Sequence, residues 1–337
     1  MTTTNIREVA KLAGVSVGTV SNVLNRPEMV ASGTRERVLD AIRRLGYIRN
    51  EVARHLRMGR SRTVGLVVID IVNPFFADVA RAAEAPADER DVMVVVCNSA
   101  VDPARERRHL DQLEQQRVLG VLLSPVESAG RQWRGLIERG TPVILVDSTA
   151  SGPQCSVSVD DRFGGWLAGS HLIERGHRRI AFAGGPSSIQ QVADRRAGIK
   201  AAVSDAADPV ELVELPMPRL SGVAEGRRVG ERVAALPRDE RPTAMFCAND
   251  MLALGVLQAM VDRGLRVPQD MAIVGYDDID FAAAAAVPLT SIRQPREQLG
   301  RTAMDLLLEE VETPDRHRHR KVIFQPDLIV RASTVAP

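Results

Sequence analysis

The sequence is poor in aromatic residues and in cysteine, and it has no long apolar run. Aromatic residues make up 3% of its 337 positions. No apolar stretch approaches the roughly 20 residues that a membrane-spanning helix needs. Cys97, Cys155 and Cys247 are widely spaced and odd in number, which is typical of isolated thiols in a reducing compartment. The first residues also lack the apolar core of a signal peptide, so we expect a cytoplasmic protein with no membrane partner.

The motifs of nucleotide-binding sites and of several enzyme classes are also missing. Neither G-x-x-x-x-G-K-[ST] nor G-x-G-x-x-G occurs, which leaves a nucleotide-phosphate site without support. The segment GVSVG at 14–18 matches the G-x-S-x-G of serine hydrolases, but that chemistry needs the serine between a strand and a helix, and here a helical pattern precedes it. We therefore predict no catalytic residue, no cofactor and no enzymatic activity.

One histidine-containing segment, RHRHR at 316–320, is a candidate metal site. His317 and His319 offer imidazole nitrogens, which are common metal ligands. The segment precedes a predicted strand, however, and it has the composition of a solvated charged loop. We predict no metal there.

Positive charge is concentrated at the beginning of the chain. Residues 1–62 contain 12 Arg and Lys against 5 Asp and Glu, whereas the whole chain has a net charge of +1. A basic head on a mildly acidic body predicts a polyanion as the partner of the head alone. A basic surface that is only solvated is the alternative.

Residues 6–46 predict three short helices. IREVAKLA has a helical apolar stripe, and Gly14 follows it as a left-handed stop. Ser16 is predicted to cap the second helix, TVSNVLN, and Thr34 the third, TRERVLDAIRRL, which Gly46 closes. Two helices joined by a tight glycine turn, with a third behind them, form the helix-turn-helix pattern. A three-helix protein-binding module is the alternative.

From residue 63 onward, short apolar runs alternate with helical patterns, which predicts parallel strands joined by crossover helices. The fold class is therefore an N-terminal all-α helix-turn-helix head followed by an α/β core of two doubly wound subdomains. The predicted strands are TVGLVVI, VMVVVC, GVLL, PVILV, RIAFA, TAMFCA and MAIVGY, with two more in RKVIFQPDLIVRAS.

Polar or glycine residues follow these apolar runs, where parallel strands end. Ligands of open α/β sheets bind beyond the carboxyl ends of the strands, so side chains from several strand ends are expected to meet in one cleft. For any single residue, capping of the next helix is an equally good explanation. The residues in question are Asp70, Asn98, Ser124, Asp147, Gly184, Gly185, Asn249 and Asp277.

The second helix has the small and polar N-terminal residues that a helix needs in order to enter the DNA major groove. We predict base contacts from Val17, Gly18 and Asn22, because an asparagine can pair with adenine and a valine can touch a thymine methyl. Phosphate contacts, which position the protein without specifying sequence, are predicted for Ser16, Thr19, Ser21 and Asn25.

Nine segments along the chain share a resemblance to one family. The first three are IREVAKLAGVSVGTVSNVLN, TRERVLDAIRRLGYIRNEVARHLR and RTVGLVVIDIVNPFF, and the others are RIAFAGGP, DRRAGIKAA, PTAMFCANDMLALG, GLRVPQDMAIVGYDD, PLTSIRQP and DLIVRAST. Together they resemble LacI/GalR-family transcriptional regulators over essentially the whole chain. The resemblance implies a homodimer, or a tetramer, on a pseudo-palindromic DNA operator. It also implies a core similar to periplasmic sugar-binding proteins, in which the chain crosses three times between the subdomains.

The resemblance assigns roles in a hinge and in an effector cleft. Residues matching VARHLR form a hinge helix in the DNA minor groove, with Leu56 as the wedge and Ala53 and Arg57 beside it. In the cleft, Phe75 and Phe76 would form a wall, and Asp147, Arg195, Asn249 and Asp277 would make the polar contacts. This set suits a sugar, while purine or nucleoside effectors remain open. For Arg195, a salt bridge between subdomains is the alternative.

The expected organisation is a helix-turn-helix domain at 1–47, a hinge at 48–61 and an effector-binding and dimerisation core at 62–337. The first subdomain is placed at about 62–160 and 293–323, and the second at about 161–292 and 324–337. Pro86 falls inside an expected core helix and predicts a kink or an end there. The expected function is an effector-controlled DNA-binding regulator. The alternative is a carbohydrate-binding or sugar-processing protein whose head does not bind DNA. Inducer and co-repressor roles of the effector remain equally open.

Overall fold

The computed structural model describes residues 5–47, 61–127, 130–217 and 222–335. The chain divides into two compact units, Met1–Ser61 and Arg62–Pro337. The predicted hinge residues Ala53, Leu56 and Arg57 lie outside the described residues. Among the described helices, none is both long and apolar enough to cross a lipid bilayer.

The first unit contains the predicted three helices. They are α1 (Ile6–Ala13), α2 (Val17–Asn25) and α3 (Ser32–Leu45). Gly14 follows α1 with a φ of 65°, a left-handed conformation that glycine adopts without steric cost. Ser16 caps α2 as expected, because its hydroxyl oxygen accepts a hydrogen bond from the backbone N–H of Thr19 at 3.0 Å. The helix-turn-helix prediction is confirmed.

The predicted cap of the third helix is wrong. The helix α3 begins at Ser32, with Ala31 at the N-cap position and no side-chain cap. Thr34 already lies inside the first turn, where its backbone N–H bonds to the carbonyl of Ala31 at 3.0 Å.

A small apolar core holds the three helices together. Its centre consists of Val9, Val20 and Val38, one from each helix and each fully buried. Burying side chains of this size stabilises a fold by roughly 1.5–3 kcal/mol each, so every helix contributes to the core.

The second unit contains two six-stranded sheets. The first sheet is wholly parallel in the order β11-β5-β4-β3-β1-β2. Its strands are β1 (Thr63–Val68), β2 (Met93–Asn98), β3 (Gly120–Leu123), β4 (Val143–Val146), β5 (Ser156–Val159) and β11 (Lys321–Phe324). The buried strands β1, β3 and β4 carry predicted apolar runs, which suit a sheet covered on both faces.

The second sheet has the order β12-β10-β9-β8-β6-β7, and only β12 runs antiparallel to its neighbour. Its strands are β6 (Arg179–Gly184), β7 (Glu211–Pro216), β8 (Ala244–Cys247), β9 (Ala272–Asp277), β10 (Thr290–Arg293) and β12 (Asp327–Ile329). In each sheet the strand order reverses once, at the second strand from one edge, which is β1 in the first sheet and β6 in the second. The doubly wound fold class is thus confirmed.

Helices follow most strands and cover the sheets. The first sheet carries α4 (Pro74–Asp88), α5 (Pro103–Gln115), α6 (Arg131–Glu138) and α12 (Arg296–Glu312). The second carries α7 (Asp161–Glu174), α8 (Gln190–Ser204), α9 (Val223–Ala234), α10 (Asp250–Asp262) and α11 (Asp280–Ala284). Each sheet with its helices is called a subdomain below.

The chain passes between the two subdomains three times, after β5, β10 and β11. Arg293 still pairs with Asp277 in the second sheet, and Phe324 still pairs with Val159 in the first. Strand pairing therefore continues to the last residue before each connection.

Two local expectations are corrected by the packing. The run VMVVVC was predicted as a strand buried on both faces, but β2 is an edge strand, and Met93 and Val96 are exposed. Pro86 does not end its helix, because α4 continues to Asp88. The ring lies in the last turn and is buried, and the carbonyl of Pro86 accepts a hydrogen bond from Arg90 Nη1 at 3.2 Å.

Candidate effector cleft and DNA-binding face

The predicted cleft residues lie at the carboxyl ends of the central strands. Asp147 directly follows β4, Asn249 begins the turn into α10 after β8, and Asp277 is the last residue of β9. In doubly wound folds this end of the sheet forms the ligand crevice near the point where strand order reverses. The sheet topology therefore carries these side chains toward one region.

Arg195 of α8 is at the centre of this polar group. Its Nε donates to Asp161 Oδ1 at 2.7 Å, and its Nη1 donates to the carbonyl of Ala248 at 2.6 Å. Nη1 also lies 3.9 Å from Asp277 Oδ1, and the guanidinium carbon is 3.6 Å from the ring centre of Tyr276. The ion pairs of Arg195 lie within its own subdomain, so they are not the inter-subdomain salt bridge that was the alternative.

Close packing of two helices fixes the position of Arg195. A Cβ atom at Gly165 of α7 would lie 2.1 Å from the carbonyl oxygen of Arg195, and one at Gly198 would lie 2.1 Å from that of Arg162. Only glycine permits this approach. The backbones of α7 and α8 are therefore in close contact at Arg195.

The side-chain amides of two residues connect the subdomains across the cleft. Asn73 Nδ2 donates to Asp277 Oδ2 at 2.7 Å, and Gln191 Nε2 donates to Asp147 Oδ2 at 2.9 Å. Asn73 also caps α4, because its Oδ1 accepts from the N–H of Phe75 at 3.1 Å. Each carboxylate thus already has an amide partner from the opposite subdomain.

Burial changes the acidity of the cleft carboxyls. It raises the pKa of Asp277 to about 6, although Arg195 and the amides of Asn73 and Gln294 favour the charged form. Burial also raises the pKa of Asp147, and the neighbouring Asp161 adds to the rise. One buried cation is therefore shared by several carboxyl groups with elevated pKa values.

The two cleft aspartates at the strand ends have unusual backbones. Asp147 has a φ of 54° and Asp277 a φ of 107°, both in the left-handed region that L-residues rarely adopt. Such conformations persist only where the surrounding structure enforces them, and they cluster at functional sites.

Several buried oxygen atoms in the cleft lack a donor. Asp147 Oδ1, Gln191 Oε1 and Gln294 Oε1 form no hydrogen bond with any described residue. Buried acceptors left in this state cost about 1–3 kcal/mol each. The cleft therefore offers acceptors to a molecule that brings O–H or N–H donors.

The other predicted cleft residues have structural contacts of their own. Asn249 caps α10, because its Oδ1 accepts from the N–H of Leu252 at 2.8 Å. The rings of Phe75 and Phe76 are buried in the core, with centroids 5.0 Å apart in an edge-to-face arrangement. Capping and core packing thus account for the contacts that the structure gives these three residues.

Sequence reasoning missed four members of the polar group, Asn73, Asp161, Gln191 and Gln294. Gln294 directly follows β10 and donates to Asp277 Oδ1 at 2.7 Å. The strand-end argument that selected Asp277 would have selected it, had the run TSIR been recognised as a strand. Asp161 gave no such signal, because its partner Arg195 is 34 residues away in the chain.

In the head, the three residues predicted to contact bases share an exposed face. Val17, Gly18 and Asn22 lie on α2, which turns its other side, with Val20 and Val23, into the core. A Cβ at Gly18 would meet only Ser16 Oγ, at 3.6 Å. The fold itself therefore does not require a glycine there.

The four residues predicted to contact phosphates are joined in two pairs. Ser16 Oγ lies 2.9 Å from Thr19 Oγ1, and Asn25 Nδ2 donates to the carbonyl of Ser21 at 2.7 Å. These bonds orient the side chains around the exposed face of α2 before any DNA is bound.

Known proteins resemble this arrangement over the full chain. The family description "Bacterial regulatory proteins, lacI family" matches residues 5–50, and "Periplasmic binding protein-like domain" matches residues 170–334. The HTH-type transcriptional repressor PurR of Aliivibrio fischeri is 35% identical over 97% of both chains. The chain belongs to the LacI family of bacterial regulatory proteins.

Solved LacI-family structures share the fold. The Lac repressor dimer bound to operator and an anti-inducer is 29% identical, with a TM-score of 0.81 over 99% of this chain and 100% of that one. A LacI-family regulator from Enterococcus faecium with bound ribose is 29% identical, with a TM-score of 0.73 over 81% of this chain and 98% of that one. As a LacI-family member the protein is a DNA-binding transcriptional regulator with a small-molecule-binding core.

Proposed function

We propose that this LacI-family protein is a repressor that binds a pseudo-palindromic operator as a homodimer and is controlled by a sugar or sugar derivative. The observation that carries the effector proposal is Arg195, buried among Asp161, Asp277 and Tyr276 at the carboxyl ends of the second sheet's strands. A planar guanidinium fixed in this way can pair with ligand oxygens without rearranging.

The effector class follows from the hydrogen-bonding demand of the cleft. Its unpartnered atoms are acceptors on Asp147, Gln191 and Gln294 and the hydroxyl of Tyr276, and a polyhydroxylated ring supplies several O–H groups, which both donate and accept, in a small volume. The ribose bound to the Enterococcus faecium relative supports this class. Purines and nucleosides, which also offer N–H donors, are the rival class.

Control of DNA binding is proposed to work by linkage between two arrangements of the subdomains. The bonds Asn73–Asp277 and Asp147–Gln191 exist only when the subdomains are close. A ligand that favours one arrangement would bias the hinge, where Ala53, Leu56 and Arg57 are proposed to enter the minor groove. Couplings of about 1–3 kcal/mol are typical and would change operator affinity by roughly 5–150-fold.

The homodimer proposal has a surface to support it. An apolar groove of about 540 Å³ runs along α10 and α11, lined by residues that include Met251, Leu254, Val261 and Phe281. The side chain of Phe281 is 60% exposed and that of Val261 58%. Exposed apolar patches of this kind mark subunit contacts, and the Lac repressor was solved as a dimer.

Two measurements test the proposed function. Gel shifts against the promoter of the protein's own operon should give sequence-specific, salt-sensitive binding, because phosphate contacts release counterions. Loss of all such binding would favour a carbohydrate-binding protein with a different head. A thermal-shift screen of sugars, polyols and nucleosides should raise the melting temperature only with a sugar or polyol. A rise with nucleosides alone would refute the effector class and leave the DNA-binding role intact.

A further inference from the structure

A second cluster of reactive side chains lies at the edge of the first sheet. Cys155 directly precedes β5, and His317 and His319 lie in the segment that leads into β11, the partner strand of β5. Cys155 Sγ is 3.3 Å from His317 Nε2 and 3.7 Å from His319 Nδ1. These donor atoms all lie within 4.8 Å of one another. The expectation of a solvated loop is wrong for His317, whose side chain is 2% exposed.

A carboxylate from α12 faces the same two nitrogens. Glu310 Oε2 is 3.7 Å from His317 Nε2 and 3.9 Å from His319 Nδ1. This oxygen is buried and has no hydrogen-bond partner among the described residues. Sulfur and oxygen therefore both face one pair of imidazole nitrogens.

These separations are close to the edges of a metal-centred tetrahedron. Bonds of about 2.3 Å from Zn²⁺ to sulfur and about 2.0–2.1 Å to nitrogen place sulfur and nitrogen donors about 3.5 Å apart in tetrahedral geometry. The two sulfur–nitrogen distances, 3.3 and 3.7 Å, bracket that value. Glu310 is not part of the group of donors that lie within 4.8 Å of one another, so its carboxylate would have to move toward Cys155 to reach the fourth corner.

The surroundings of the cluster also resemble those of a metal site. His317 Nδ1, on the far side of the ring from the cysteine, lies 3.4 Å from Glu309 Oε1 without a hydrogen bond to any described residue, and a small shift would make Glu309 a carboxylate that orients a metal-binding histidine. Burial raises the pKa of the Cys155 thiol, and the backbone N–H of Arg320, which donates to Cys155 Sγ at 3.3 Å, opposes that rise. The guanidinium of Arg320 pairs with Glu309, so its charge is compensated outside the cluster.

We propose that Cys155, His317, His319 and Glu310 bind one zinc-class divalent cation. A thiolate with imidazoles and one carboxylate suits Zn²⁺ better than Mg²⁺ or Ca²⁺, which prefer oxygen ligands. One thiolate and one carboxylate together neutralise a dication. The ion would join the start of β5, the end of α12 and the segment before β11, and so fix the edge of the first sheet.

The test is titration of the metal-stripped, full-length protein with Zn²⁺ against a chromogenic competitor. We expect one equivalent bound per chain, release of the thiol proton and a higher melting temperature. Co²⁺ in place of Zn²⁺ should give a thiolate-to-metal charge-transfer band in the near ultraviolet. Cys155→Ser should abolish that band, whereas Cys97→Ser, the matched control in β2, should retain it.

Two further variants separate metal binding from folding. His319 is 41% exposed, so His319→Ala should leave the fold intact, as checked by circular dichroism, while weakening Zn²⁺ binding. Glu309→Gln should weaken it by about 10–100-fold, the usual effect of losing an orienting carboxylate. Absence of stoichiometric Zn²⁺ binding, or unchanged affinity in a folded His319→Ala protein, would overturn the proposal and leave a hydrogen-bonded Cys–His cluster.

Discussion

Arg195 and Asp161 form a buried ion pair inside the second subdomain. Their closest atoms are 2.7 Å apart, and their side chains are 5% and 7% exposed. Asp161 is the first residue of α7, the helix that packs against the glycine-lined face of α8. The residue proposed to hold the effector is thus also part of the core that positions it, and its two roles need separate tests.

Replacing Arg195 should affect stability before it affects ligand binding. Removal of one partner leaves the other charge buried, which costs about 3–5 kcal/mol, so Arg195→Ala should lower the free energy of unfolding of the core by that amount. Urea unfolding measures this change. The double variant Arg195→Met with Asp161→Asn removes both members of this pair and should recover part of the loss, because Asp277 still loses the nearby cation. A cost below 1 kcal/mol for Arg195→Ala would contradict the structural role.

The ligand role of Arg195 needs a variant that keeps the charge. Arg195→Lys retains the cation but loses the planar fork and its stacking on Tyr276, so it should remove the effector response while operator binding persists. Gel shifts with and without the effector measure the operator affinity and its response to the effector. A normal response in this variant would show that the guanidinium does not contact the ligand.

Gly18→Ala should separate DNA recognition from folding. The added methyl group meets only Ser16 Oγ, at an ordinary contact distance, so the head should be as stable as before or gain up to about 1 kcal/mol. On the proposed major-groove face, the methyl should lower operator affinity by tenfold or more without changing the salt dependence, since no phosphate contact is lost. The control is Gly33→Ala in α3, where a Cβ meets nothing within 4 Å. Equal operator affinity in the two variants would refute the assignment of Gly18.

Phe281→Glu should weaken the homodimer. In a two-fold symmetric interface each substitution occurs twice, so a charge in the apolar groove places two carboxylates where apolar surface was buried. We expect the dimer dissociation constant, measured by analytical ultracentrifugation, to rise at least a hundredfold. Val330→Glu is the matched control, because Val330 is also an exposed apolar residue but lies outside the groove. Equal dimer dissociation constants for the two variants would exclude this groove as the dimer interface.

Glu106 should make the stability of the core depend on pH. It is buried on α5, accepts a hydrogen bond from the N–H of Val126 at 2.7 Å, and its pKa is raised by burial from 4.5 to about 7. The folded chain therefore holds a proton that the unfolded chain releases between these values. Stability should fall as the pH rises through this window, by up to about 3 kcal/mol at 1.36 kcal/mol per unit of pKa shift.

Glu106→Gln removes this titration and keeps an oxygen that can accept from Val126. Its stability relative to the parent protein should increase from pH 5 to pH 8, as measured by urea unfolding. Glu84→Gln, at an exposed position of α4, should leave the pH profile unchanged. Parallel profiles of Glu106→Gln and the parent would show that Glu106 is ionised in the folded state at pH 5.

The sequence allowed prediction of the elements whose signals are local. Apolar runs located most of the central strands, and glycines located the ends of α1 and α3. The strand β5 escaped notice because SVSV alternates serine with valine, although all four residues are buried. The edge strand β7 escaped because ELVELP carries two glutamates. In both strands the position in the sheet, rather than the composition, makes the segment a strand.

Cleft residues were predictable from the sequence only at the ends of strands, because the carboxyl ends of parallel strands lie at the same edge of a sheet. Strand ends gave Asp147, Asn249 and Asp277, and the family resemblance added Arg195. No local pattern joins Arg195 to Asp161, or Cys155 to His317 across 162 residues. These pairs depend on which helices and strands become neighbours in the folded chain.

The side-chain amides of Asn73 and Gln191 compete with any effector for the carboxylates of Asp277 and Asp147. Asn73 Nδ2 already donates to Asp277 Oδ2 at 2.7 Å, and Gln191 Nε2 donates to Asp147 Oδ2 at 2.9 Å. A ligand hydroxyl would donate to the same oxygen atoms. A hydroxyl that binds there exchanges one hydrogen bond for another, so the free energy gained is the difference between the two. A molecule that displaces both amides removes two contacts between the subdomains but leaves the bonds of Arg296 to Asp278 and Asp280, whereas one that uses only the unpartnered oxygens leaves all of these contacts in place. Two ligands of equal affinity could therefore push the regulator in opposite directions.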